Sequence, residues 1–94
     1  EADVGVGGTT ADTIGRLLLQ LGSNTQVICI THAPQVAAIG QNHLRVTKDN
    51  SETTIAPLDE DMRIEELARM LAGADITEKT REYASTLLKE ANSK

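Results

Sequence analysis

The stretch Val27-Ile28-Cys29-Ile30-Thr31-His32 decides how this chain is read. Four consecutive apolar residues, three of them β-branched, predict a strand over residues 27–31. The run shows no alternation of apolar and polar positions, so it reads as a strand covered on both faces, as in a parallel sheet. Upstream, Ile14, Leu17, Leu18 and Leu21 recur at i, i+3, i+4 and i+7, which predicts a helix over residues 9–21 with these side chains inward. Thr9 or Thr10 serves as its cap, Asp12 suits its first turn, and Gly22 stops it. Helix then strand, joined by the short polar loop Ser23-Asn24-Thr25, is half of a βαβ unit.

Beyond the strand, residues 34–39 read as a short helix, with Pro34 near its start and Gly40 at its end. Leu44-Arg45-Val46-Thr47 and Thr53-Thr54-Ile55-Ala56 flank the turn-forming Lys48-Asp49-Asn50-Ser51-Glu52, so a hairpin is predicted, closed by Pro57. Asp59 caps a further helix with Glu60 and Asp61 in its first turn; its stripe is Ile64, Leu67, Ala68 and Leu71, and Gly73 ends it. Thr77 caps a last helix whose inner face is Ala84, Leu87, Leu88 and Ala91. The expected fold class is α/β: one domain over residues 1–94, with a short mixed sheet (one parallel-type strand plus a hairpin) and flanking helices.

Composition narrows the function classes. Ninety-four residues suit one small domain with an aliphatic core, since Tyr83 is the only aromatic. A domain of this size buries only roughly 60–65% of its unfolded surface and is marginal alone. The net charge of −5 offers no electrostatic footprint for a phosphate backbone, and the lack of aromatics removes a stacking platform for single strands. The single cysteine, Cys29, cannot form an internal disulfide, and within an apolar run it reads as buried and inert. No run approaches the ~18 apolar residues of a membrane span, and no signal-peptide pattern opens the chain.

His32 is the sharpest candidate for chemistry. It follows a predicted buried strand, and ligands of open α/β sheets bind beyond the carboxyl ends of strands. An imidazole there can donate to a phosphate oxygen or accept from a water. The alternative is a loop histidine packed against the next helix. His43 reads as a solvated residue beside a strand. Glu1 and Asp3 precede the glycine loop Gly5-Val6-Gly7-Gly8, and a carboxylate in such a place can hold a water in line with a γ-phosphate; acidic residues of this kind are otherwise plain solvated surface. The glycines complete neither GxGxxG nor GxxxxGK[ST], so the chain carries no phosphate cradle of its own. There is no HExxH or CxxC, and hence no transition-metal site. The charges Arg63, Glu65, Glu66, Arg69, Glu78, Lys79, Arg81, Glu82, Lys89 and Glu90 mix both signs at helical spacing and read as solvated helix faces.

Three blocks carry a resemblance. Glu1-Ala2-Asp3-Val4-Gly5-Val6-Gly7-Gly8-Thr9-Thr10-Ala11 resembles the Walker B end and D-loop of the RecN family of bacterial DNA repair proteins, within the SMC-like ABC ATPases. Thr25-Gln26-Val27-Ile28-Cys29-Ile30-Thr31-His32-Ala33-Pro34-Gln35-Val36-Ala37 resembles the family's H-loop strand and the helix after it. Arg63-Ile64-Glu65-Glu66-Leu67-Ala68-Arg69-Met70-Leu71-Ala72-Gly73 with Ile76-Thr77 resembles its C-terminal helices. The resemblance implies the C-terminal part of an ABC-type ATPase head, in a protein whose two heads sandwich ATP during double-strand-break repair and recombination. It implies that Glu1 positions the hydrolytic water, that Asp3, Gly5, Gly7 and Gly8 form the D-loop facing the partner head, and that His32 senses the γ-phosphate.

The implied cofactors are ATP and Mg²⁺ in the full-length protein, with none held tightly by this piece. The implied partners are the rest of the head with its Walker A and signature regions, a second head, and DNA through other parts of the protein, with no membrane. The implied location is cytoplasmic, at the nucleoid. The Walker B aspartate, the strand before it, the Walker A loop, the Q-loop and the signature motif are missing from the sequence. The 94-residue piece is therefore expected to be inactive alone and to associate through its uncovered strand. The competing expectation is an independent small α/β protein-interaction module, with His32 incidental.

Overall fold

The structure, a computed structural model, describes residues 8–92. In chain order the elements are α1 (Gly8–Leu21), α2 (Pro34–Ile39), β1 (Leu44–Asp49), β2 (Glu52–Pro57), α3 (Glu60–Ala72) and α4 (Glu78–Asn92). This is a small α/β domain whose described sheet consists of the antiparallel pair β1-β2.

Local chemistry explains the boundaries. The Asp59 carboxylate accepts from the Met62 amide at 2.9 Å and caps α3, with Glu60 and Asp61 in the first turn beside the positive end of the helix dipole. Gly73 ends α3 at φ 66°, a left-handed conformation that favours glycine, and its N–H returns to the Arg69 carbonyl at 2.7 Å. Thr77 Oγ1 accepts from the Thr80 amide at 3.2 Å and caps α4. In the hairpin, Asn50 and Ser51 both take positive φ, 47° and 68°. That is the backbone of a two-residue type I′ turn, and it sets the register Val46↔Ile55 and Asp49↔Glu52.

The core is built around α2. This six-residue helix packs against α1, α3 and α4, and buries Val36, Ala38 and Ile39. Ala38, Ile39, Leu67, Ala68, Ala84, Leu88 and Ala91 form the main cluster, with Ile64, Leu71 and Leu87 packed against it. The stripes expected for α3 and α4 are thus the ones used. The hairpin stands apart from this core, and Leu44, Val46 and Ile55 on one of its faces are exposed.

Two expectations are corrected. Residues 27–31 form no strand: the segment has no regular secondary structure, so there is no parallel-type strand among the described residues. The two strands of the hairpin pair with each other, and the described sheet does not extend to this segment. Nor is the segment covered on both faces. Cys29 is half-buried against the cluster of Ala11, Ala33 and Val36, while Ile28 and Ile30 are 80% and 72% exposed. The second correction concerns α1. Ala11 and Gly15 are buried, whereas Leu17 and Leu21 face solvent. The helix approaches α2 on its small residues, so closely that a Cβ on Gly15 would lie 2.7 Å from Ile39 Cδ1.

Candidate functional site

Of the residues singled out in the sequence, Glu1, Asp3, Gly5 and Gly7 lie outside the described residues. Gly8 opens α1, and His32 is described. His32 lies near the end of the irregular segment 26–33 and is exposed, two residues before Pro34 starts α2. The turn into α2 is set locally: Thr31 Oγ1 accepts from the Ala33 amide at 2.9 Å, and the Ala33 carbonyl accepts from the amides of Val36 and Ala37. Ala33, next to His32, is buried in one cluster with Ala11 and Val36. Ala11 lies three residues past Gly8, so the end of the segment 26–33 and the opening turn of α1 are held together.

An exposed imidazole can donate to, or accept from, a phosphate oxygen or a water. The described residues contain no group of three or more His, Cys, Asp or Glu side chains that could hold a metal ion. A depression of about 190 Å³ lies among Asp12, Arg16, Gln35 and Leu87, and another of about 360 Å³ lies among Arg45, Met62, Glu66 and Ile76; His32 lines neither. No helix among the described residues is long and apolar enough to cross a membrane.

The most organised polar chemistry is where sequence reasoning placed plain solvated surface. Arg63 and Glu66 are buried, at 8% and 7% exposure. Arg63 Nη2 donates to the carbonyls of Ala37 at 3.1 Å, Ala38 at 3.4 Å and Gly40 at 2.9 Å, so an α3 side chain closes the end of α2. The Glu66 carboxylate accepts from Arg69 Nε at 2.7 Å and Nη2 at 2.6 Å, and Arg45 of β1 stands 3.6 Å away. These hydrogen bonds from Arg69, against an opposing cost of burial, hold the Glu66 carboxyl below the usual carboxylate range. His43 is not simply solvated either. Its Nδ1 is buried without a hydrogen-bond partner, and burial, aided by the Arg63 charge and opposed by Glu66, lowers its pKa from the ordinary 6.5. Part of the signal was present in the spacing: Arg63 stands four residues before Leu67, on its side of the helix, and Glu66 stands three residues after Arg63. The exposed pair Arg81–Glu65, at 2.9 Å, is solvated as expected.

No family model matches the chain. Individual proteins do. The DNA repair protein RecN of Vibrio cholerae is 49% identical over 92 residues, covering 94% of this chain and 17% of that protein. RecN of Xylella fastidiosa (strain Temecula1) is 45% identical over 94 residues, covering 96% of this chain and 17% of its own length. RecN of Bacillus subtilis is 38% identical over 96 residues, covering 98% of this chain and again 17% of the relative. The chain thus spans about one sixth of the length of the curated relatives it matches. Identity at this level, sustained along nearly the whole chain in distant bacteria, means that the chain belongs to the RecN family.

Proposed function

We propose that this chain is the C-terminal part of an ATP-hydrolysing, SMC-like head in a protein of DNA double-strand-break repair and recombination, acting at the bacterial nucleoid. His32 contacts the γ-phosphate of ATP. Glu1 positions the hydrolytic water, and Asp3, Gly5, Gly7 and Gly8 face a second head. The remainder of the head supplies the phosphate cradle, the signature region and the Mg²⁺ site; DNA is bound elsewhere in the protein, and this piece alone does not hydrolyse ATP.

The observation that carries the reading is the state of residues 26–33. The segment has no regular secondary structure, turns Ile28 and Ile30 outward, and ends on an exposed His32. That is what a sheet strand looks like when its neighbours lie in another part of the protein, and the end of such a strand is where α/β sheets bind ligands. The match to one sixth of much longer repair proteins supports a part of a larger molecule over a free-standing interaction module.

The test is steady-state ATP hydrolysis by the full-length protein. Glu1→Gln is expected to lower kcat on the order of 10²-fold or more with nucleotide still bound. His32→Ala is expected to lower kcat about tenfold, in keeping with one lost contact to the reacting phosphate. Hydrolysis at the unsubstituted rate in both variants would overturn the reading.

A further inference from the structure

We infer that Arg63, thirty-one positions from His32 in the sequence, is the positioning residue for His32, acting through α2. The inference rests on the nucleotide reading of His32 given above. It begins with the weakness of α2 as a helix. At six residues it is far shorter than the ~12–15 that a helix needs to persist in water. Its N-cap residue is Ala33, which makes no side-chain capping bond. The last four carbonyls of any helix lack intrahelical donors, which in α2 is most of the element.

Arg63 supplies what is missing. A single buried Nη2 donates to the carbonyls of Ala37, Ala38 and Gly40, and brings a positive charge to the negative end of the helix. Its acceptors among the described residues are backbone carbonyls alone, and its Nε is left buried with no acceptor. A guanidinium that leaves one of its own donors unpaired while satisfying three carbonyls is spent on holding that backbone. Arg63 is itself fixed, because it lies in the first turn of α3 and its amide donates to the Asp59 carbonyl at 2.8 Å.

The lever is short. Only Ala33 separates His32 from the first residue of α2. At its other end, α2 is held by Arg63, and its sides are held by Val36 against Ala11 and by Ala38 and Ile39 in the main core. Loss of the Arg63 bonds frees the last turn of α2, and its axis and register then drift. The imidazole at the start of α2 drifts with it, and displacement of a group at a reacting centre by ~1 Å costs up to about 10²-fold in rate.

The experiment uses the full-length protein and the variants Arg63→Met, Arg63→Lys, His32→Ala and the double variant Arg63→Met/His32→Ala. Amide hydrogen exchange is followed in peptides spanning residues 34–40 and, as an internal control, residues 84–92. Arg63→Met is expected to speed exchange in 34–40 by about tenfold with 84–92 unchanged. It is also expected to lower kcat about tenfold while the KM for ATP stays the same. The double variant is expected to be no slower than His32→Ala alone, because both losses act through one group. Arg63→Lys, which keeps a charged donor, restores part of both readouts, and it carries the test if Arg63→Met does not fold.

Unchanged exchange in 34–40 overturns the anchor whatever the activity does. Faster exchange with an unchanged kcat, or losses that multiply in the double variant, overturns the link to His32. A His32→Ala protein as fast as the parent sinks the phosphate role of His32 and with it the link, and the exchange data then still decide whether Arg63 holds α2.

Discussion

The helical end of the molecule and its non-helical segments treat apolar side chains in opposite ways. Where α2, α3 and α4 meet, Leu67, Ala68 and Ala84 are fully buried and Leu88 is 2% exposed. In residues 26–33 and in the hairpin, Ile28 is 80% exposed, Ile30 72%, Val46 63% and Ile55 61%. The residue types are alike, so hydrophobicity does not make the difference. A helix satisfies its own backbone and needs only one face covered, which a neighbouring helix can do. A β-strand needs a ladder partner as well as cover for its faces, and the two strands of the hairpin pair with each other while one apolar face stays exposed. The first region closes a core among the described residues; the second leaves its apolar side chains exposed.

Substitutions can break this contrast at its strong end. Leu67→Ala removes the largest fully buried side chain and is expected to cost about 2–5 kcal/mol, read from denaturant melts. A loss below 1 kcal/mol would mean that the core collapses around the gap and is looser than the burial shows. Gly15→Val comes next. Its Cβ would meet Ile39 Cδ1 at 2.7 Å with the Val36 backbone just behind at 3.5 Å, so α1 must lift from α2. The expected loss is about 1–3 kcal/mol. Asp59→Ala removes the side-chain cap of α3 and is expected to cost about 1 kcal/mol, with Asp59→Asn recovering most of it.

These sites also show what the residues reveal without a structure. The helices α3 and α4 and the hairpin were legible because cap, stripe and turn agree at each: Asp59 with Gly73, Thr77 with Ala84 and Leu88, and Asn50-Ser51 between two β-prone runs. The inner face of α1 was not. Of the expected stripe, Leu18 does pack against Ala11 and Val36, but Leu17 and Leu21 are exposed, and the buried positions are Ala11 and Gly15. Close helix packing rewards the small side, a property of the pair rather than of either helix. Arg63 and Glu66 were misread for a related reason. A charge at a core-facing position is tolerated only when specific partners await it, and those partners are Ala37, Ala38 and Gly40 for one and Arg69 for the other. The expected strand failed because a strand is defined by its neighbour. Of the candidate site, the structure keeps His32 beside the start of α1, and the roles of Glu1, Asp3, Gly5 and Gly7 rest on the resemblance alone.

Acid should separate the buried polar cluster from the apolar core. The folded-state pKa of His43 lies below its ordinary 6.5, so the unfolded chain binds the proton more readily. Its contribution is complete above pH 6.5 and is lost as the pH falls from there through the folded value. Glu66 works in the same direction at lower pH: its folded pKa lies below 4.5, so its stabilisation is present above 4.5 and lost as the pH falls through the folded value. Melts between pH 8 and pH 4 are expected to show stability declining on the acid side, and His43→Gln should flatten the first part of the decline. An unchanged slope between pH 7 and pH 5.5 in His43→Gln would remove His43 from the account.

The smallest expected effect carries the most information. Ile28→Ser and Ile30→Ser alter side chains that stand in solvent, so each should change the stability of the 94-residue chain by no more than about 0.5 kcal/mol. If the segment becomes a covered strand in the full-length protein, the same substitutions bury a hydroxyl where an isoleucine packed. The cost there should rise to about 2 kcal/mol or more per site. The comparison is within one residue, so propensity and side-chain entropy largely cancel, and the difference between the two hosts isolates any cover gained in the full-length protein. Equal, small effects in both hosts would mean that Ile28 and Ile30 stay in water, and residues 26–33 would then be a loop that only looks like a strand.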